Sequence, residues 1–170
     1  FSTENWKRPQ KEIDFLFKLL ENFLLKKIKH IVENKIKIKF IGNLNKLPIN
    51  LKSLLKSSEK KTSRFSKLQI NIALNYGSKA EIVNSIKIIN KKSLNVNIKN
   101  IEKNLFTSGI PNPDILIRTG NTQRLSNFLL WQIAYTEIFF IKKLWPDFNK
   151  KNFKKILNVF KTTKRNFGAI

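Results

Sequence analysis

The spacing of apolar residues along this chain predicts a series of helices and strands. Over residues 11–32 apolar side chains recur every three or four positions, which is the period of a helix with one apolar face. They are Ile13, Leu16, Phe17, Leu20, Phe23, Leu24, Ile28 and Ile31, with Phe15, Leu19 and Leu25 widening the face. Residues 35–41, KIKIKFI, instead alternate strictly, which predicts a half-exposed strand with a lysine face at a sheet edge.

The remaining segments continue this alternation of helix and strand. We predict helices over residues 48–61, 79–92, 97–106, 127–135 and 149–166, and strands over 68–76, 115–117 and 138–141. Strands separated by helices favour an α/β fold in which a mostly parallel sheet is flanked by helices. Since no repeat or linker divides the chain, we expect a single domain over residues 1–170.

The composition excludes several kinds of site. Among 170 residues there is no Cys and only one histidine, His30, so neither a disulfide, a thiolate metal site nor a histidine-rich centre can form. The formal charge of +23 suits nucleic acid or an anionic membrane surface. Because the excess is mostly lysine spread along the chain, biased codon usage explains the charge as well.

The sequence contains no membrane span and no methionine. The most apolar stretch, residues 125–141, is interrupted by polar side chains, whereas a spanning helix needs about 20 mostly apolar residues. The chain begins at Phe1 without a signal-peptide pattern. We therefore expect a fragment of a longer cytoplasmic protein.

Polar side chains that suit an anion follow one predicted strand. Residues 115–117 lead into Arg118, and Arg124 and Ser126 follow within a small loop. Arginine presents a planar fork of donors that matches phosphate oxygens, and open α/β sheets bind ligands at the carboxyl ends of strands. A phosphate site and a purely structural role for these residues remain equally open. Arginines near a strand end are often surface charges, and Ser126 would also cap a helix. Glu137, a lone acid in apolar surroundings, could simply pair with a lysine.

Several segments resemble one enzyme family in their order and spacing. IRTG at 117–120, RLSNFLLWQIAYTE at 124–137 and LWPDF at 144–148 resemble the carboxyl-terminal signature of the cis-prenyltransferases. FSTENWKRP at 1–9 and LNYGSKAEIV at 74–83 resemble two further segments of that family. The matches together cover nearly the whole chain. The resemblance implies the family's fold without its first strand, loop and helix.

The resemblance also implies an activity, a cofactor and partners. The family condenses isopentenyl diphosphate with an allylic diphosphate, such as farnesyl diphosphate, into a long-chain polyprenyl diphosphate, such as undecaprenyl diphosphate for the cell-wall lipid carrier. The reaction uses Mg²⁺ to stabilise the departing diphosphate, and an apolar tunnel that the helix over residues 11–32 would help to line. A homodimer, contact with the inner face of the membrane and no nucleic-acid partner are further expectations.

Individual residues acquire roles from the same resemblance. The diphosphate of isopentenyl diphosphate would be held by Arg118, Arg124, Leu125 and Ser126, with Glu137 as a magnesium ligand. The allylic substrate would be surrounded by Ser2, Thr3, Glu4, Trp6 and Arg8. Asn5 matches the position to which proton removal is assigned, although a neutral amide is a poor base and is better suited to orienting a phosphate or a water.

The sequence departs from the family pattern at three places. Asn121 replaces a second glycine, and asparagine is the next-best residue for positive φ; the acid and histidine that often follow are absent. Ser78 replaces another glycine. The family's Asp-Gly-Asn-Gly-Arg-Trp loop, which carries the metal-binding acid, does not occur in these 170 residues. We therefore expect this chain alone to be catalytically incompetent.

Three hypotheses follow from these patterns. The first is a cis-prenyltransferase without its amino-terminal part. The second is a non-catalytic accessory or decayed relative that acts through partner contacts. The third is a basic nucleic-acid-binding module, whose affinity would fall steeply with salt.

Overall fold

The computed structural model describes residues 1–165, which form two compact units, one over Phe1–Ser108 and a second that begins at Gly109. The helices are α1 (Gln10–Glu33), α2 (Ile49–Thr62), α3 (Ser78–Lys91), α4 (Ile98–Asn104) and α5 (Lys150–Thr162). The strands are β1 (Ile36–Ile41), β2 (Leu68–Ala73), β3 (Ile115–Arg118) and β4 (Glu137–Phe140). Both strand pairs, β1–β2 and β3–β4, are parallel, as predicted. The single domain over residues 1–170 stays a prediction.

The first unit is built on the parallel pair β1–β2, whose strands are connected through α2. Parallel strands need a crossover of a dozen or more residues, and this helix supplies it. α1 buries Ile13, Phe17 and Leu24 in the same core as Ile38 and Phe40 of β1. The periodicity therefore predicted the helix and part of the face that it buries, but Phe23, which was assigned to that face, is exposed.

Side chains of α2 cover backbone groups at the edge strand β1. Thr62 Oγ1 accepts a hydrogen bond from the backbone N–H of Ile38 at 3.1 Å, and Glu59 Oε1 accepts from that of Phe40 at 2.8 Å. These bonds satisfy backbone donors and discourage pairing with another chain. Among the described residues the predicted edge position of β1 is confirmed, because β1 pairs with β2 alone.

A fully buried acid connects α3 to the segment that follows β2. Glu81 is 0% exposed. Its Oε2 accepts from the hydroxyl of Tyr76 at 2.5 Å, and its Oε1 accepts from the backbone N–H of Phe106 at 2.8 Å. A buried carboxyl group needs such partners, since its burial without them is costly. These two bonds hold the end of β2, the start of α3 and the segment after α4 together.

We expect Tyr76→Phe to lower the free energy of unfolding by about 2 kcal/mol, because Glu81 stays buried and loses a hydrogen-bond donor. Urea denaturation measures this change. Tyr135→Phe is the matched control because Tyr135 is 64% exposed, and it should change the free energy by less than about 0.5 kcal/mol. Equal losses in the two variants would contradict a stabilising role for the buried bond.

The second unit contains the pair β3–β4 and α5. The helix predicted over residues 127–135 is wrong, because the chain forms a series of turns there. Ser126, Asn127 and Leu129 have φ values of 50°, 58° and 48°, which are left-handed and interrupt an α-helical hydrogen-bond ladder. The apolar residues of this stretch resembled a buried helix, but turns also bury apolar side chains, as they do for Ile133.

Most other predicted bounds agree with the structure within a few residues. The side chain of Asn97 accepts from the backbone N–H of Asn100 and caps α4, as predicted, but α4 ends at Asn104. α5 ends at Thr162, and the predicted end at Asn166 lies outside the described residues. Within residues 1–165 no helix combines the length and the apolar character that crossing a bilayer requires.

Candidate functional site

Two arginines come together at the carboxyl end of β3. Arg118 is the last residue of that strand, and both Arg118 and Arg124 line one cavity of about 310 Å³. The other lining residues are Leu116, Ile117, Thr119, Leu125 and Phe128. Such a volume is at the small end of the range for ligand pockets. Two positive charges beside apolar walls suit an anion that carries a hydrocarbon group.

The loop between the arginines is held by the segment that follows β4. The backbone N–H of Gly120 donates to the carbonyl of Lys143 at 2.8 Å, and that of Asn121 donates to the carbonyl of Ile141 at 3.1 Å. Gly120 and Asn121 have φ values of 89° and 54°, which glycine and asparagine tolerate best. The prediction that Asn121 can take the positive φ of a glycine is therefore confirmed.

Arg118 is oriented by Thr122, a residue of the loop between the two arginines. Its Nε donates to Thr122 Oγ1 at 3.0 Å, and this bond fixes the plane of the guanidinium. The two terminal amino groups carry four further N–H donors, which is enough for a bidentate contact with phosphate. Ser126 is not among the residues that line the cavity, so its diphosphate contact stays a prediction.

Glu137 lies at the opposite end of the strand pair from the arginines. It opens β4, whereas Arg118 closes β3, and the two strands are parallel and in register. Three residues of strand separate these ends by about 10 Å. Glu137 is not among the residues that line the cavity of Arg118 and Arg124. Its role as a magnesium ligand stays a prediction.

A guanidinium occupies the surroundings of this acid. Arg165 Nη1 is 2.7 Å from Asp114 Oδ1, and Arg165 Nε is 4.0 Å from Glu137 Oε1. In the part of the chain that the structure describes, no three His, Cys, Asp or Glu side chains are grouped to hold a metal. Mg²⁺ usually needs one or two carboxylates beside the substrate's phosphates. A site of that kind holds fewer than three acids, and Glu137 stays its predicted ligand.

The amino-terminal candidates form one short turn beside the carboxyl end of β2. Thr3–Lys7 is a 3₁₀ helix, and the backbone N–H of Thr3 donates to the carbonyl of Tyr76 at 3.0 Å. The side-chain oxygen of Asn5 accepts from the backbone N–H of Ser2 at 2.7 Å. Asn5 therefore has a capping role in this turn, and its part in proton removal stays a prediction.

An amide network fixes Trp6 on this turn. Its Nε1 donates to Asn75 Oδ1 at 2.7 Å, and Asn75 Nδ2 donates to the carbonyl of Asn43 at 2.7 Å. The indole ring also packs edge-on against Phe1 and Phe17, at centroid distances of 5.2 and 5.8 Å. Because Asn43 and Asn75 follow β1 and β2, the network ties the turn to the carboxyl ends of both strands.

The remaining polar candidates of this turn make contacts that are exposed to solvent. Thr3 Oγ1 donates to Glu4 Oε2 at 3.0 Å, and Arg8 lies 3.7 Å from Glu12 in an exposed ion pair. Exposed pairs of this kind contribute little to stability. The predicted contacts of Ser2, Thr3, Glu4, Trp6 and Arg8 with an allylic substrate stay predictions.

One stripe of α1 remains exposed although it is apolar. Phe15, Leu19 and Phe23 follow one another at four-residue spacing and are all exposed. Phe15 and Leu16 also line a cavity of about 290 Å³ together with Arg8. The helix thus buries one face in the core and offers a second apolar face, which agrees with the broad face predicted from the sequence.

Sequence reasoning missed Asn75 and Arg165 as residues that shape these sites. Asn75 lies within the matched segment LNYGSKAEIV, so its position in a motif was a usable signal. Arg165 carried no such signal, because its partner Asp114 is 51 residues away in the chain.

The chain has a parallel α/β fold with two arginines at the carboxyl end of a strand, an arrangement that suits an anion. The prenyltransferase family model, which carries the description "putative undecaprenyl diphosphate synthase", matches residues 1–168. The chain belongs to this prenyltransferase family. The expected membership, the α/β fold and the enzyme class are thereby confirmed.

Individual relatives agree with the family. An isoprenyl transferase of Oceanobacillus iheyensis is 42% identical, and one of Prochlorococcus marinus is 48% identical; both matches cover 100% of this chain. The chain spans 70% and 65% of the lengths of these two proteins.

Solved structures show the same fold. A protein described as a probable undecaprenyl diphosphate synthase from Campylobacter jejuni matches with a TM-score of 0.92 and 39% identity, over 99% of this chain and 80% of that one. The lavandulyl diphosphate synthase of Lavandula x intermedia, solved with dimethylallyl diphosphate, matches with a TM-score of 0.91 and 31% identity, over 99% of this chain and 76% of that one.

Proposed function

We propose that this chain is the part of a cis-prenyltransferase that binds isopentenyl diphosphate and one end of an allylic diphosphate. Farnesyl diphosphate is the proposed allylic substrate, and a long-chain polyprenyl diphosphate such as undecaprenyl diphosphate is the proposed product. The observation that carries the proposal is the cavity shared by Arg118 and Arg124 in a chain of this family. The charged diphosphate of isopentenyl diphosphate matches the two arginines of this cavity. Its short branched hydrocarbon matches the apolar residues of the lining.

In the proposed reaction, the allylic C–O bond breaks and the diphosphate leaves with the electron pair. The double bond of isopentenyl diphosphate attacks the allylic carbon, a C–C bond forms, and a proton is lost to give the new cis double bond. The chain's own contribution is to bind and orient. Arg118 and Arg124 would hold the diphosphate of the attacking substrate, while Leu116, Leu125 and Phe128 would contact its hydrocarbon part and exclude water.

The allylic substrate is proposed to lie along the other set of candidates. The turn that carries Trp6 and Arg8 presents polar donors, and the exposed stripe of α1 begins close by at Phe15, which lines one cavity with Arg8. The diphosphate of the allylic substrate would lie near Arg8, and its apolar chain would extend along α1. The high exposure of this apolar stripe supports the proposal, because large apolar side chains in a row often mark a binding surface.

Magnesium, a homodimer and contact with a membrane surface belong to the same proposal. Mg²⁺ would neutralise charge on the departing diphosphate when bound. Glu137 would be its protein ligand, and we assign no step to the ion. The second possibility is a non-catalytic relative, which predicts that the complete reading frame also lacks the Asp-Gly-Asn-Gly-Arg-Trp loop.

One assay separates these possibilities. The 170-residue chain and the protein encoded by the complete reading frame are each incubated with radiolabelled isopentenyl diphosphate, farnesyl diphosphate and Mg²⁺, and label is measured in the organic extract. We expect polyprenyl product from the complete protein and none from the 170 residues alone. A folded complete protein that makes no product would instead establish the non-catalytic relative.

A further inference from the structure

A second cavity in the unit that begins at Gly109 combines an apolar floor with three lysines. It measures about 350 Å³ and lies between the segment that follows β4 and one face of α5. Its lining residues are Phe139, Ile141, Lys142, Lys143, Asn152, Lys155, Ile156 and Val159. No acidic side chain is among them. Its volume is in the lower part of the range for ligand pockets, which favours a small ligand over a long chain.

The local sequence explains why lysines surround an apolar floor here. Lys142 and Lys143 follow Ile141, the first residue after β4, and Lys155 precedes Ile156, which is the buried residue of α5. The ammonium groups are carried on flexible apolar stems that can lie along such a surface while the charge stays in water. A ligand's head group would therefore meet positive charge, and its tail would meet Phe139 and Ile156.

The wall of this cavity also supports the loop between the two arginines. The carbonyls of Ile141 and Lys143 accept the backbone hydrogen bonds of Asn121 and Gly120, at 3.1 and 2.8 Å. The backbone N–H of Ile141 in turn donates to the carbonyl of Arg118 at 2.7 Å. A ligand that contacts segment 141–143 thus acts on the residues that shape the arginine cavity, which is the cavity lined by Arg118 and Arg124. Coupling between two such sites is reciprocal.

We infer that this lysine-lined cavity is a second binding site for a short-chain amphipathic phosphate. Its phosphate head contacts Lys142, Lys143 and Lys155, and its hydrocarbon tail lies on Phe139 and Ile156. Occupancy changes the affinity of the arginine cavity for isopentenyl diphosphate; this second statement, unlike the first, rests on the proposed function. The expected ligand is a soluble molecule, because the volume does not hold the two chains of a phospholipid.

Methyl NMR of the protein, titrated with hexyl phosphate, tests the first statement. The methyl resonances of Ile141, Ile156 and Val159 are expected to shift with a saturable dependence on concentration. Lys142→Gln/Lys155→Gln should weaken this binding about tenfold or more, because two charged contacts are lost. Lys150→Gln/Lys151→Gln is the matched control, with the same net charge and neither residue in the cavity, and should change it by less than about twofold.

Several results would overturn the inference. Equal weakening in the two double variants would show attraction to the overall positive charge only. Inorganic phosphate that shifts the same methyl resonances with equal affinity would show that the apolar floor contributes nothing. Shifts at Ile156 that vanish in Arg118→Ala would show that the probe binds only in the arginine cavity.

The coupling is measured separately. Saturating hexyl phosphate should change the dissociation constant of isopentenyl diphosphate in the wild-type protein, and this effect should be lost in Lys142→Gln/Lys155→Gln. If the methyl shifts occur but the dissociation constant does not change, the site exists and the coupling is refuted. If isopentenyl diphosphate does not bind at all, the proposed function fails while the methyl titration still decides on the second site.

Discussion

Arg118→Ala is expected to weaken the binding of isopentenyl diphosphate about 100-fold, because a bidentate pair of charge-assisted hydrogen bonds to phosphate is lost. Isothermal titration calorimetry of the chain measures this change. In the complete protein, kcat/KM for isopentenyl diphosphate should fall by a similar factor. Arg118→Lys keeps the charge but loses the planar fork of donors, so an intermediate loss of about tenfold is expected.

Two variants control for this effect. Arg64→Ala removes an exposed arginine that stacks on Phe65 in the other unit, and it should leave the affinity unchanged. Thr122→Val removes the acceptor of the Arg118 Nε bond and should weaken binding by less than Arg118→Ala, since the charge remains. Unchanged affinity in Arg118→Ala would remove this residue from the site and with it the main support for diphosphate binding there.

Gly42→Ala is expected to destabilise the first unit by about 4 kcal/mol. Gly42 has a φ of 118°, and a Cβ built on it would lie 2.1 Å from the backbone oxygen of Leu74. Neither the strained φ nor the overlap can be relieved by a side-chain rotation, because the blocking atom belongs to the backbone of the segment after β2. Urea denaturation followed by circular dichroism measures the loss.

Gly109→Ala is the matched control for the conformational part of this loss. Gly109 also has a positive φ, 74°, but a Cβ there would meet nothing within 4 Å. Only the left-handed backbone cost of about 1 kcal/mol is expected. If the two variants lose the same free energy of unfolding, the overlap with the backbone of Leu74 adds no cost, and the expected effect of close approach is wrong. Destabilisation at Gly42 would also disturb the turn that carries Trp6. The carbonyl of Asn43, the next residue, accepts a hydrogen bond from Asn75 in the Trp6 network.

The arginine cavity could be predicted in part from the sequence. An apolar run followed by Arg118 placed a cation at the end of a strand, and the matched segment RLSNFLLWQIAYTE placed Arg124 and Leu125 beside it. The structure brings these three residues to one cavity. The conformation of the loop was also predictable, because Gly120 and Asn121 are residue types that adopt positive φ.

Other parts of the site could not be predicted in this way. The same matched segment suggested a helix, and only the left-handed residues Ser126, Asn127 and Leu129 show that turns form instead. Glu137 stood close to the arginines in the sequence, but parallel register places it at the far end of the strand pair. The ion pair between Arg165 and Asp114 joins residues 51 positions apart, a distance that no local pattern covers.

The sequence by itself determined the helix α1 with its buried face, the parallel strands, the family and the residue types that suit a diphosphate. These depend on periodicity, on backbone preferences of single residues and on short motifs, which all act over a few neighbouring positions. Only the tertiary structure decided which strand end each charge occupies, how Thr62 and Glu59 cover β1, and that lysines of α5 and of the segment after β4 share one cavity. Those arrangements follow from register and packing between distant segments, where a shift of a single residue changes which side chains meet.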